Sequence, residues 1–302
     1  MLARVCDTVE VNPRDRAMTH EELLAAVRGR DGLLCLLTDT IDREILDAGR
    51  DLKGIANYAV GYDNIDIAAA RELGIGVTNT PGVLTDATAD MAWTLLMACA
   101  RRIVASDPFV RSGRFEGWAP MLFVGADVTR RTLGIVGAGR IGTAVARRSV
   151  GFSMRVLYAD PVAHPELEHA VGAVRVALET LLRESDFISL HVLLTTETRH
   201  LMGPAQFAMM KPTAILINTS RGPVIDEAAL AVALREGKIA GAGLDVYENE
   251  PEVHPELLNC PNAVLAPHTG SATTETRTKM ATMAAENLIA MLEGRTPPDL
   301  VT

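Results

Sequence analysis

Along most of the chain, short apolar runs alternate with stretches in which apolar positions recur every three to four residues. That is the pattern of buried strands alternating with amphipathic helices. In the N-terminal quarter, Gly32–Leu37 and Gly54–Tyr58 read as strands, and Ile41–Gly49 and Ile65–Gly74 as helices that stop at glycine. The run from Asn79 to Asp86 has the proline and glycine of a crossover, with Thr85 or Asp86 as an N-cap. A long helix is expected from Ala87 to Arg102. Met91, Trp93, Leu95, Leu96, Met97 and Cys99 spread around most of its girth, so it is buried on more than one side, in a core or at a subunit interface. Asp107–Arg131 shows no period, yet it carries Phe109, Phe115, Trp118 and Phe123. A loop that aromatic is expected to pack on something or to serve a site.

From Thr132 the alternation is regular. Strands are expected at 132–137, 155–160, 187–192, 214–219, 241–246 and 263–268, with helices starting near Arg140, Ala177, Pro204 and Glu227. Six mainly apolar strands with helical crossovers predict an α/β fold with a doubly wound parallel sheet, and ligands at the carboxyl ends of its strands. A last helix spans about Ala272 to Leu292, and Pro297-Pro298 is expected to end the ordered chain. Residues 80–271 then form one domain, and residues 1–79 with 272–302 a second, smaller and discontinuous α/β domain.

The first strand of the regular set runs into Gly137-x-Gly139-x-x-Gly142 and then a helix. Gly137 allows the tight turn, Gly139 lets the backbone approach a pyrophosphate, and Gly142 lets helix and strand pack closely. The phosphates meet the unpaired N–H groups and the positive dipole end at the helix start. A second apolar strand ends at Asp160, 18 residues beyond Gly142, where a carboxylate can hold ribose hydroxyls. Together these predict a Rossmann dinucleotide site. The acid, followed by Pro161, Val162, Ala163 and His164 rather than arginine, favours NAD(H) over NADP(H).

Three groups follow strand ends: Arg221 after Ile215–Ser220, Glu250 after Leu244–Asn249, and His268 after Ala263–Pro267. The topology brings them to one rim. A guanidinium, a carboxylate and an imidazole beside a nicotinamide are the minimal set for reducing a 2-oxo acid. Arg221 binds the substrate carboxylate and polarises the carbonyl, His268 donates the proton, and Glu250 holds the imidazole.

Composition narrows the reading by exclusion. With 302 residues, 48% of them hydrophobic, the chain can build two cores. Its net charge of −9 and lack of any basic run argue against a nucleic-acid or anionic-membrane surface. No apolar window approaches a membrane span, and no leader pattern opens the chain, so a cytoplasmic protein is expected. Cys6, Cys35, Cys99 and Cys260 lack C-x-x-C spacing and read as buried free thiols. His20, His164, His169, His200 and His254 read as solvated, and no metal site is expected.

The motifs together resemble the D-isomer-specific 2-hydroxyacid dehydrogenases, most closely the glyoxylate/hydroxypyruvate reductase branch, from about Thr19 to Val301. The landmarks are Asn57–Asp66, Thr78–Asp90, Gly137–Gly142, Asn218–Asp226, Gly243–Pro251 and Ala266–Ala272. The resemblance implies that Arg221, Glu250 and His268 are the catalytic set and that Val60 and Gly61 offer N–H groups to the substrate carboxylate. It implies cofactor contacts at Ala138–Ile141, Asp160, Thr219, Ser220, Asp245 and Gly270. It further implies a homodimer built by the Ala87–Arg102 helix and the loop behind it, with Trp118 reaching the partner subunit's active site. The smaller domain becomes a flavodoxin-like substrate domain that lacks the family's first strand and helix. Leu193 stands where the family has proline. The alternatives are a dehydrogenase for another D-2-hydroxy acid, such as D-lactate or 3-phosphoglycerate, and a non-catalytic NAD-sensing scaffold.

Overall fold

A computed structural model describes residues 1–301, which divide into two compact units. The smaller comprises Met1–Leu84 and the chain from Ser271 onward; the larger is Thr85–Gly270.

The smaller unit begins with a single 3-10 turn, Leu2–Arg4, and an extended stretch. Helix α1 (His20–Val27) starts at a capping box in which Thr19 and Glu22 satisfy each other's backbone N–H. It is followed by β1 (Gly32–Cys35), α2 (Arg43–Ala48), β2 (Gly54–Asn57), α3 (Ile67–Glu72) and β3 (Gly76–Thr78). Asp42 and Asp66 cap α2 and α3 through their side chains. The three strands are parallel in the order β1-β2-β3, with Gly32 opposite Gly54 and Gly54 opposite Gly76. The outer edge of β1 carries no further strand among the described residues.

The larger unit opens with α4 (Thr85–Arg101), which takes Thr85 and Asp86 into its first turn instead of leaving them outside as caps. Its burial is accounted for inside this unit: Trp93 stacks on Phe152 at 4.9 Å and donates from Nε1 to the Val145 carbonyl at 3.0 Å. After Arg102, whose φ of 52° turns the chain, α5 (Ile103–Arg111) runs on with Pro108 inside it. The expectation of irregular chain from Asp107 is therefore wrong for its first five residues. Proline usually ends a helix, and here it is tolerated in a short one. Beyond α5, Phe123 meets Phe109 edge-on at 5.2 Å and Arg114 lies over the Phe109 ring, whereas Trp118 is 86% exposed.

The chain then continues as β4 (Thr132–Val136), α6 (Arg140–Arg148), β5 (Arg155–Ala159), α7 (Pro165–Val171), β6 (Val174–Arg175), α8 (Leu178–Glu184) and β7 (Phe187–Leu190). It ends with α9 (Pro204–Met209), β8 (Ile215–Asn218), α10 (Glu227–Arg235), β9 (Gly241–Leu244), α11 (Pro255–Leu258) and β10 (Ala263–Leu265). The sheet has seven strands, not six, in the order β10-β9-β8-β7-β4-β5-β6, all parallel. Strand β6 escaped the apolar pattern because it is two residues long and exposed on both. The order reverses between β4 and β7, which places a crevice at their carboxyl ends. Helices cover both faces, so β7, β8 and β9 are buried at every position.

Helix α12 (Thr274–Leu292) belongs to the smaller unit and packs Leu288 and Met291 on Ala56. Past the two prolines the chain does not lose order at once. Leu300 bridges Thr78, and Val301 N–H donates to the Val77 carbonyl at 2.8 Å. Of the four free cysteines only Cys35 is fully buried; Cys6, Cys99 and Cys260 are partly exposed. No helix among the described residues is long and apolar enough to cross a membrane, and no cluster of metal-ligating side chains is present among them.

Candidate active site and cofactor cradle

The cradle is built where β4 meets α6. Gly137 has φ 90°, open to glycine, and a Cβ there would lie 2.8 Å from the His191 carbonyl carbon. A Cβ on Gly142 would collide with the Gly137 carbonyl, so the helix can start this close to the strand only with glycine. Gly139, the N-cap of α6, has no side-chain cap and nothing within 4 Å of where its Cβ would point. The first N–H groups of α6, at Arg140, Ile141 and Gly142, are the kind of donors a pyrophosphate takes. These residues fit a dinucleotide.

Asp160 follows β5 and closes the cradle. Its Oδ2 accepts from Ala138 N at 2.8 Å and its Oδ1 from Val162 N at 2.9 Å. Burial alone would raise its carboxyl, but those two N–H groups and His164, whose Nε2 lies 3.4 Å away, bring it below the usual carboxylate range. Two side chains are placed near it by the fold in a way the sequence does not show. His164 is half-buried against the Tyr158 ring rather than solvated. Arg175, from the short strand β6, donates to the carbonyls of Asp160 and Pro161 at 3.0 and 2.5 Å.

On the other side of the crevice, Thr219 and Ser220 follow β8. Ser220 is bound through N and Oγ to Asn218 Oδ1, and Thr219 Oγ1 is buried with no partner in the structure. Leu193 is 64% exposed beyond β7. His191, also past β7, is half-buried with its Nδ1 enclosed; desolvation of the ring pushes its imidazole down to about 3, and its Nε2 lies 2.8 Å from Ser189 Oγ. It stays neutral. The chemistry at this position went unnoticed in the sequence because an imidazole at a strand end looks the same whether wet or dry.

The three strand-end groups lie in this one unit. Glu250 Oε2 and His268 Nδ1 are 2.8 Å apart, and Glu250 Oε1 accepts from Tyr247 N at 3.0 Å. Burial would raise the Glu250 carboxyl; the hydrogen bond and charge of His268, the Tyr247 N–H and the Arg221 charge outweigh it and pull the carboxyl down. His268 has φ 55°, a left-handed conformation that a non-glycine residue adopts at a cost of about 1 kcal/mol or more. Asp245 holds it there. Its Oδ1 accepts from Thr269 N and its Oδ2 from Gly270 N, both at 2.7 Å, so the turn after His268 is pinned from both sides. Arg221 donates from Nη1 to the Ser220 carbonyl at 2.9 Å, and its own carbonyl accepts from Asn218 Nδ2 at 2.9 Å.

Val60 and Gly61 belong to the smaller unit, in the turn after β2. Their carbonyls accept from Asn79 Nδ2 at 2.7 Å and Asn57 Nδ2 at 2.9 Å, which fixes the turn. Trp118 is exposed on the segment after α5. Among the remaining histidines, His200 Nε2 lies 2.6 Å from Glu248 Oε1, and His254 has its Nδ1 buried, so neither is simply solvated.

Known proteins share the sequence family and the fold of this chain. Residues 93–270 match the family model described as D-isomer specific 2-hydroxyacid dehydrogenase, NAD binding domain. A protein of Thermococcus litoralis named glyoxylate reductase is 57% identical over 297 residues, covering 97% of this chain and 90% of that one. The crystal structure of the TT0316 protein from Thermus thermophilus superposes with a TM-score of 0.93 at 46% identity, covering 100% of this chain and 96% of that one. The NADPH-dependent glyoxylate/hydroxypyruvate reductase of Sinorhizobium meliloti, solved with NADP and malonate, gives a TM-score of 0.85 at 35% identity, with coverages of 92% and 86%. The chain belongs to the D-isomer specific 2-hydroxyacid dehydrogenase family.

Proposed function

We propose that the protein reduces glyoxylate or hydroxypyruvate to the D-2-hydroxy acid with NADH, His268 supplying the proton. The observation that carries this reading is the Glu250–His268 pair at 2.8 Å on the strand ends of a sheet with a dinucleotide cradle. The high identity to a relative named glyoxylate reductase supports the substrate class. When bound, the nicotinamide supplies the hydride. The rest falls to the chain. Arg221 takes the substrate carboxylate and polarises the adjacent carbonyl. His268, its Nδ1 on Glu250, presents Nε2 to the carbonyl oxygen as the acid. The test is loss of reduced-nicotinamide absorbance with glyoxylate, hydroxypyruvate and pyruvate in parallel. Turnover confined to pyruvate, or none at all, would contradict the proposal.

For the cofactor we assign NADH over NADPH on the charge of Asp160, which stays ionised at neutral pH and repels a 2′-phosphate. Asp160→Ala is expected to narrow the NADH preference by at least about tenfold, the worth of roughly one unit charge contact near a surface. An unchanged ratio of kcat/KM for the two cofactors would remove Asp160 from this role.

The protein is further assigned as a cytoplasmic homodimer. Ile103, Val104, Val110, Phe115, Trp118 and Met121 are exposed on α5 and the segment after it, a density of apolar surface that a lone subunit seldom shows. Light scattering on the eluting protein is expected to give twice the chain mass, and Trp118→Ala to change the preference between glyoxylate and bulkier oxo acids. A monomer at micromolar concentration would refute the assembly.

A further inference from the structure

Glu227, the first residue of α10, is a carboxylate only 4% exposed, and the mechanism above does not use it. In sequence it looks like an ordinary helix-start acid. The structure turns it away from its own helix end. Asp226 does the capping, accepting from Ala229 N, while Glu227 points toward the loop that follows β9. Its Oε1 accepts from Glu248 N at 2.7 Å and its Oε2 from His254 N at 3.2 Å. One carboxylate therefore clasps both ends of the segment 248–254. Inside that clasp the loop is tight, with Asn249 and Glu252 bridged and Glu252 N–H donating to the Asn249 carbonyl at 2.9 Å. Glu250 sits in the middle.

A second contact joins the same loop to Arg221. Gly222 packs so close to the Tyr247–Glu248 peptide that a Cβ there would overlap the Tyr247 carbonyl. Tyr247 in turn donates its N–H to Glu250 and its hydroxyl to the Ala266 carbonyl at 2.9 Å, two residues before His268. The peptide held by Glu227 thus touches the segments of all three strand-end groups. We propose that Glu227 is a positioning residue for the reaction, holding the Glu248–His254 loop so that Glu250 stays on His268 Nδ1. This rests on the proposed role of the Glu250–His268 pair.

The geometry explains why a carboxylate is needed. Two backbone N–H groups converge on it from separate peptides, and only an ionised acid presents an acceptor to each without a donor of its own. Glutamine keeps the size but turns an NH₂ group on one of them, leaving a buried N–H facing another donor. Aspartate keeps the charge but is one methylene short of spanning both.

The experiment has a spectroscopic arm and a kinetic one. In the wild-type protein the His268 Nδ1 proton, bonded to Glu250, is expected as a slowly exchanging downfield NMR resonance, assigned by its loss in His268→Ala. In Glu227→Gln that resonance is expected to broaden away. In the same samples kcat is expected to fall about tenfold or more, the scale of a small misplacement of catalytic groups, while the NADH dissociation constant stays within about twofold. NADH binding by fluorescence reports that the cradle is folded; if Glu227→Gln fails to bind NADH, Glu227→Asp takes its place with the same expectations. Persistence of the Nδ1 resonance in the variant overturns the inference, as does a loss of kcat with the resonance intact, which would mark a merely structural residue. If the wild type turns over no oxo acid, the functional reading fails instead, and the resonance still decides whether Glu227 places Glu250.

Discussion

His268→Ala is expected to lower kcat for oxo-acid reduction by about 1,000-fold, within the range for loss of a positioned general acid, with NADH affinity nearly unchanged. The size follows from how much structure serves this one ring. Its Nδ1 is committed to Glu250 at 2.8 Å, so the proposed proton transfer falls to Nε2. Its backbone is held at φ 55° by the two N–H bonds to Asp245. Binding energy is therefore spent on orientation before substrate arrives. Glu250→Gln keeps the shape but removes the charge that steadies the imidazolium, and a smaller loss, about 100-fold, is expected.

The pH dependence carries a sign. The Glu250 carboxyl is held below its ordinary value in the folded protein, so the favourable pairing with His268 is complete above the ordinary carboxylate range. It is lost only as pH falls through the lowered value. Reduction is then expected to persist on the acid side to pH values at which an unperturbed glutamate is already half protonated. A kcat/KM profile that collapsed at the ordinary glutamate pKa would show that the pair does not hold as drawn.

Much of this site can be read from the chain because its parts sit at strand ends, and strand ends are marked. The apolar runs at Thr132–Val136, Ile215–Asn218 and Ala263–Leu265 are followed, within three residues, by Gly137, Arg221 and His268, so these residues declare themselves. Helices α6, α9 and α10 begin where the sequence expects them, at Arg140, Pro204 and Glu227, because glycine or aspartate precedes each. The failures share a cause as well. Strand β6 is too short and too polar to show a period, so Arg175 could not be placed beside Asp160. Helix α5 lies beyond a left-handed arginine and contains a proline, two local signals that both read as a stop. Glu227 and Asp245 act through backbone N–H groups of distant loops, at Glu248, His254, Thr269 and Gly270. No periodicity reports such a contact. Nor does composition tell an enclosed histidine from a solvated one, so the half-buried His164 and the desolvated ring of His191 look like any others in the chain.

Arg221→Ala is expected to lower kcat/KM for glyoxylate by about 1,000-fold, chiefly through KM, because two charge-assisted hydrogen bonds to a carboxylate are each worth about 1.5–3 kcal/mol. The side chain is set up for such a task by its frame. The backbone is extended at φ −142° and ψ 141°, its carbonyl is tied by Asn218 Nδ2, and Nη1 is anchored on the Ser220 carbonyl. One edge of the guanidinium is thereby oriented by the loop. Lysine offers the charge without the fork, so Arg221→Lys should recover only a small part of the loss. The comparison of the two variants separates the claims. If Arg221→Lys matched the wild type, charge alone would suffice and bidentate binding would be wrong; if Arg221→Ala lost kcat with KM unchanged, Arg221 would serve the transition state rather than hold the substrate.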